Sequence, residues 1–208
     1  PQPAGARGTI AVPTEIASSL AVTAVAPRSG ANWAMSAFGS SKPPVLATAF
    51  PAGYSPQVPI SDRRMYPIYA KCVELGIAIV VNAGVPGPRM PMACQDVAHF
   101  DEVCYDFPEL TIVMRHGGEP WEALAVKLML KWPNLHYSTS AFAPRYYPKA
   151  IVDYANTRGA DKIIYGGYFP MGLTLDRIFT ELPDVPFKDE VWPKFLRDNA
   201  RRVLRLDT

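Results

Sequence analysis

Residues 107–121 read FPELTIVMRHGGEPW, and the reading of this stretch decides the fold. Leu110–Met114 is short, continuous and apolar, the pattern of a strand buried on both faces of a parallel sheet. The pattern breaks on Arg115, His116 and two glycines. Pro120 then opens a helix at the first turn, where a missing N–H costs nothing, and carries it to Lys131. The stretch is thus one βα unit with a polar rim between its halves.

Working outward, the same unit recurs. Upstream, Ser61 is positioned to N-cap a helix with Met65, Ile68, Tyr69, Cys72 and Val73 at helical spacing and Gly76 as its stop. Ile77–Val81 (IAIVV) follows as a strand, and Asp96–Phe107 as a helix with Val97, Phe100, Val103, Cys104 and Phe107 on one side. Downstream come a strand at Leu135–Tyr137, a helix at Pro144–Arg158 capped by Gly159, and a strand at Lys162–Tyr165. Helices at about Leu173–Leu182 and about Lys188–Leu204 end the chain. Strands joined by single helices must be parallel with right-handed crossovers, which leaves a (β/α) barrel or an open doubly wound sheet. No G-x-G-x-x-G motif follows any strand, which disfavours the dinucleotide-binding form of the open sheet.

The chain has 208 residues, 49% hydrophobic and 19% charged, with a formal net charge of +2, an ordinary globular composition. Lys and Arg do not cluster, so no nucleic-acid partner is expected. No apolar run approaches the roughly 18–20 residues of a membrane span, so no membrane partner is expected. Cys72, Cys94 and Cys104 are odd in number and lack C-x-x-C spacing, which suits free thiols and a cytoplasmic location. Ile16–Ala26 is similar to the apolar centre of a secretion signal, but Glu15 precedes it and only Arg7 offers a basic flank, so no signal is expected. Residues 1–61 are Ala-, Ser-, Gly- and Pro-rich and nearly uncharged. They suggest two short strands, Thr9–Val12 and Val45–Phe50, with a loop between them.

In parallel α/β folds the chemistry gathers after the carboxyl ends of the strands. Asn82 follows the first strand, Arg115 and His116 the second, Ser138, Thr139 and Ser140 the third, and Gly166, Gly167 and Tyr168 the fourth. His116, followed by two glycines, stands where backbone and ligand approach closely and is the candidate general acid/base. Glu119 reads equally as a partner for His116, Arg115 or Arg89 and as a first-turn helix charge. Arg89, in the GPRMP loop, is a candidate for binding a substrate carboxylate or a solvated loop residue. His99 and His136 read as surface or packing residues, and Trp121, Trp132 and Trp192 as core or helix-packing residues.

The stretch Tyr66–Leu206 resembles the carboxyl-terminal half of the amidohydrolase-related family, metal-dependent (β/α)8 barrels that include hydrolases and decarboxylases. The motifs that carry the resemblance are YPIYAKCVELGIAIVVNAG with the following GVPGPRMP, FPELTIVMRHGGEPW, KWPNLHYSTSAF, RGADKIIYGGYFPMG and FLRDNARRVLRL. It implies a single domain over 1–208: a partial or degenerate TIM barrel whose last four βα units are clear, with 1–61 as an incomplete first half. About 60 residues before those units leave room for one or two further strands.

The resemblance also implies hydrolase or decarboxylase chemistry on a small molecule, with His116 at the acid/base position. The family's divalent metal (Zn or Mn) takes an H-x-H pair, a histidine ending the fifth strand and an aspartate ending the eighth. The only histidines here are His99, His116 and His136; Asn82 stands at the fifth-strand position and Tyr168 at the aspartate position. An amide and a phenol do not replace those ligands. No metal is therefore expected. His116 and Glu119 are the expected catalytic residues, and Asn82, Arg89 and Tyr168 the expected substrate-binding residues. The alternative is a pseudoenzyme, a metal-free paralogue that pairs with an active subunit; either way a homo- or hetero-oligomer is expected.

Overall fold

Helix α1 (Tyr66–Leu75) ends on Gly76, whose φ of 64° lies in the left-handed region that glycine occupies without penalty, and β3 (Ala78–Asn82) begins two residues later. The start of α1 departs from expectation. Asp62, not Ser61, caps a 3-10 turn (Arg63–Met65) that feeds the helix, accepting the Arg64 N–H at 2.8 Å. The Ser61 hydroxyl is instead engaged with His99 Nδ1 at 3.0 Å.

The computed structural model describes residues 57–206 and two earlier strands, β1 (Thr23–Val25) and β2 (Leu46–Ala49). After β3 the described chain runs through α2 (His99–Asp106), β4 (Ile112–Arg115), α3 (Glu122–Lys131), β5 (Leu135–Ser138), α4 (Lys149–Ala155), β6 (Ile163–Ile164), α5 (Leu175–Glu181) and α6 (Asn199–Val203). Three helices are shorter than their apolar patterns. At Asp96 the carboxylate accepts the Ala98 N–H at 2.8 Å, a local bond that holds the chain in a turn until His99. Pro148 splits the expected helix from Pro144, because the residue before a proline is driven out of the α region and Tyr147 is extended. The expected last helix contains a π turn, Lys194–Asp198, before α6.

The six strands form one sheet in sequential order, with β2 through β6 parallel. That order, without reversal, is the order of a (β/α) barrel and not of a doubly wound sheet. The expected strand at Val45–Phe50 is β2. The edge strand β1 was not expected; it falls within the signal-like run Ile16–Ala26 and pairs antiparallel with β2. The expected strand Thr9–Val12 lies outside the described residues.

Alternation gives the sheet two faces. Ile79, Val81, Ile112, Met114, Leu135, Tyr137 and Ile163 pack with Cys72, Phe100, Cys104, Leu128, Ile151 and Phe195 into the principal core under the helices. Val80, Val113 and Ile164 face the other way and pack with Ala200, Val203 and Leu204. The end of the chain therefore crosses the inner face. Asn199 fastens it there, its Nδ2 donating to the carbonyls of Ala160 at 2.7 Å and Ile163 at 2.8 Å, just ahead of and within β6. The three cysteines are buried free thiols, and burial pushes Cys72 and Cys104 up to about 12. Among the described residues no helix is long and apolar enough to cross a membrane.

Candidate functional site

Strand β3 ends on Asn82 and β4 on Arg115, and the parallel register pairs these two residues directly. Register partners on neighbouring parallel strands present their side chains on one face, with backbones about 4.8 Å apart. Each lies two positions beyond an inner-face valine, Val80 or Val113, so both emerge on the inner face at the carboxyl end of the sheet.

Beyond Arg115 the chain turns through three consecutive left-handed residues: His116 at φ 68°, Gly117 at 87° and Gly118 at 65°. A Cβ on Gly117 would come within 2.4 Å of the Phe142 ring. A non-glycine residue at positive φ is strained, and His116 is held there from β5 and the loop after it. Ser140 Oγ accepts the His116 backbone N–H at 3.2 Å and meets its Nδ1 at 3.0 Å. The buried Tyr137 hydroxyl donates to the carbonyl of Gly117 at 2.7 Å.

These residues border a cleft of about 760 Å³. Asn82, Gln95, Arg115, His116, Glu119 and Tyr168 supply its polar lining, and Val85, Pro86, Pro88 and Phe142 apolar parts of its wall. The His116 and Tyr168 rings meet edge to face at 5.6 Å. Burial, and after it the Arg115 charge, hold His116 down at about 4, so its ring is neutral at pH 7. Burial also lowers Arg115, although a guanidinium stays charged. Burial, then Glu122, raises Glu119.

Several polar groups here lack partners among the described residues. Arg115 makes no ion pair among the described residues, and its buried Nε donates to nothing. Asn82 Oδ1 and Gln95 Oε1 are likewise unpartnered, in side chains of residues only 5% and 2% exposed. The Gln95 Nε2 is used, donating to the carbonyl of Gly84 at 3.0 Å.

Asn82, His116, Glu119 and Tyr168 thus come together around one cleft, and Arg89 does not. Arg89 is exposed and outside the lining, beyond the rigid Pro86-Gly87-Pro88 turn. Glu119 reaches neither Arg89 nor Arg115 in an ion pair. Its backbone is engaged instead, its carbonyl accepting the Val85 N–H at 2.8 Å. Among the described lining residues the cation is Arg115, which the sequence places after the second strand and offers as a partner for Glu119, but not as a binding residue. The signal was present: Arg115 is two residues past Val113, so period-two alternation assigns it to the inner face. Gln95 carried no such signal. Ser140 was visible as a polar residue after a strand, but not as the partner of His116.

The donor set does not fit the divalent metal implied by the resemblance. Among the described residues no three His, Cys, Asp or Glu side chains stand together. The described lining of the cleft offers one imidazole and one carboxyl, together with the Arg115 guanidinium, which repels a cation.

A family model described as Amidohydrolase matches residues 42–206. Among solved structures, an uncharacterized TIM-barrel protein from Bordetella bronchiseptica is 29% identical, with a TM-score of 0.67 over 76% of this chain and 57% of its own. A 2,6-dihydroxybenzoate decarboxylase from Rhizobium is 17% identical, with a TM-score of 0.55 over 73% of this chain and 58% of its own. An amidohydrolase 2 from Bifidobacterium longum subsp. infantis is 22% identical, with a TM-score of 0.52 over 70% and 56%. The chain spans just over half the length of these structures. No curated protein matches it.

Proposed function

The chain belongs to the amidohydrolase family, and from that premise we propose that its cleft is a small-molecule site of hydrolase or decarboxylase type in which His116 is the acid/base. The observation that carries this reading is the bond between His116 Nδ1 and Ser140 Oγ at 3.0 Å. It fixes the ring and leaves Nε2 without a partner among the described residues, free to exchange a proton with a ligand in the cleft. A neutral imidazole accepts that proton, and the Tyr168 ring stands perpendicular to it at 5.6 Å. An anionic ligand beside Arg115 offsets part of the charge that holds His116 low, bringing its proton affinity toward working pH.

The test is turnover of a panel of amides, esters and aromatic carboxylates by the wild type and by His116→Asn. The reading requires a loss of about a hundredfold or more in the variant. Activity unchanged in His116→Asn removes the histidine from the chemistry. The absence of a metal-type donor trio among the described residues favours a second reading, a metal-free subunit that pairs with an active relative. A native mass equal to one chain, with turnover by the isolated protein, counts against it.

A further inference from the structure

We propose that Arg115 is the anion anchor of the cleft, a fixed positive charge in a site whose described residues hold no ligand set for a metal. The cleft then takes a monocarboxylate that also carries an N–H or O–H donor and an apolar ring or chain. This rests on the reading of the cleft as a small-molecule site but not on the role of His116.

Three independent features support the assignment. First, Arg115 is mostly buried and has no carboxylate partner among the described residues. A buried, unpaired charge is costly in a folded protein, and a planar guanidinium with free donors matches a carboxylate in two-point geometry. Second, Asn82 Oδ1 and Gln95 Oε1 are buried acceptors without donors among the described residues, and both residues line the same cleft. Buried polar atoms are almost always satisfied, so these two call for a donor on the ligand. Third, Phe142, Tyr168 and the prolines of the adjoining loop give the cleft aromatic and apolar wall. The register pairing of Asn82 with Arg115 sets an acceptor beside the cation, so the ligand's donor lies close to its carboxylate.

The test is calorimetric titration with three probes: N-benzoylglycine, its neutral amide N-benzoylglycinamide, and N-benzoyl-N-methylglycine, which keeps the carboxylate but lacks the donor. The wild type should bind N-benzoylglycine about tenfold or more tighter than the amide, and the N-methyl compound severalfold more weakly than N-benzoylglycine. In Arg115→Gln the preference for the acid over the amide should collapse toward unity; Arg115→Lys, which keeps the charge but not the fork, should fall between. Thermal melting establishes that each variant is folded. EDTA should leave wild-type binding unchanged.

Equal affinity of the wild type for acid and amide overturns the proposal, as does a preference that survives Arg115→Gln. Binding that appears only on addition of Zn²⁺ or Mn²⁺ overturns it too, as does failure of all three probes to bind. None of these results alters the His116→Asn turnover comparison, so the acid/base reading stands or falls separately.

Discussion

The Tyr137 hydroxyl donates to the carbonyl of Gly117 at 2.7 Å, joining a core-facing residue of β5 to the left-handed turn that carries His116. Tyr137 faces the helix layer and is fully buried. The bond therefore crosses from the core to the rim. Tyr137→Phe removes it and leaves a buried carbonyl unsatisfied, which should cost about 1–3 kcal/mol in urea denaturation. An unchanged midpoint would show that the bond contributes nothing net.

Gly117 is constrained twice, by a φ of 87° and by the Phe142 ring, which would lie 2.4 Å from any Cβ added there. Gly117→Ala should destabilise by about 2–4 kcal/mol, combining left-handed strain with overpacking. Adding Phe142→Ala should relieve the overpacking but not the strain. A double mutant no better than the sum of the two singles in thermal melting would place the whole cost in the backbone.

His116 and His136 are both held at about 4 by burial, with neighbouring positive charge as the second cause: Arg115 for His116, Lys162 and then Arg202 for His136. A free histidine titrates near 6.5, so the unfolded chain binds protons first as pH falls. The stability that rests on neutral rings is intact above about pH 6.5 and is lost as pH drops toward 4, by about 2–3 kcal/mol for each histidine. Denaturation midpoints measured from pH 7.5 down to 4.5 should fall, and His136→Gln should flatten part of that slope. A flat profile in the wild type would mean that the rings ionise as freely in the fold as in the unfolded chain.

Asn199 holds the end of the chain to the sheet through its two bonds to Ala160 and Ile163. Asn199→Ala leaves both carbonyls without that donor in a site that is nearly fully buried, and should cost about 2–4 kcal/mol. Hydrogen exchange should then rise in β6 and α6 before it rises in β3. Exchange that rises uniformly would argue that the clamp acts on the whole fold.

Strands β3 and β4 were legible because IAIVV and LTIVM are short, continuous and rich in β-branched residues, the pattern of a strand buried on both faces. The helices were legible in existence but not in extent. Asp96 and Pro148 impose local conformations that an apolar spacing pattern does not register. At the site, a residue that ends a strand could be assigned to the rim from sequence, which located Asn82, His116 and Tyr168. Arg89 and Arg115 differ in a way that only a face assignment separates: one follows a proline turn into solvent, the other inherits the inward phase of its strand. Gln95 enters the cleft from a 3-10 turn, where no periodicity points to a side.

The end of the chain packs on the inner face of the sheet around Val80, Val113 and Ile164, while the cleft opens at the strands' carboxyl ends. The inward positions along β4 are therefore divided between two tenants, Val113 serving the anchor and Arg115 the cleft. The last inward residue of β4 lines the cleft without entering the packing around Val113. That separation lets the rim carry an amide and a phenol, Asn82 and Tyr168, where the resemblance places metal ligands, while the packing beneath it stays that of the fold.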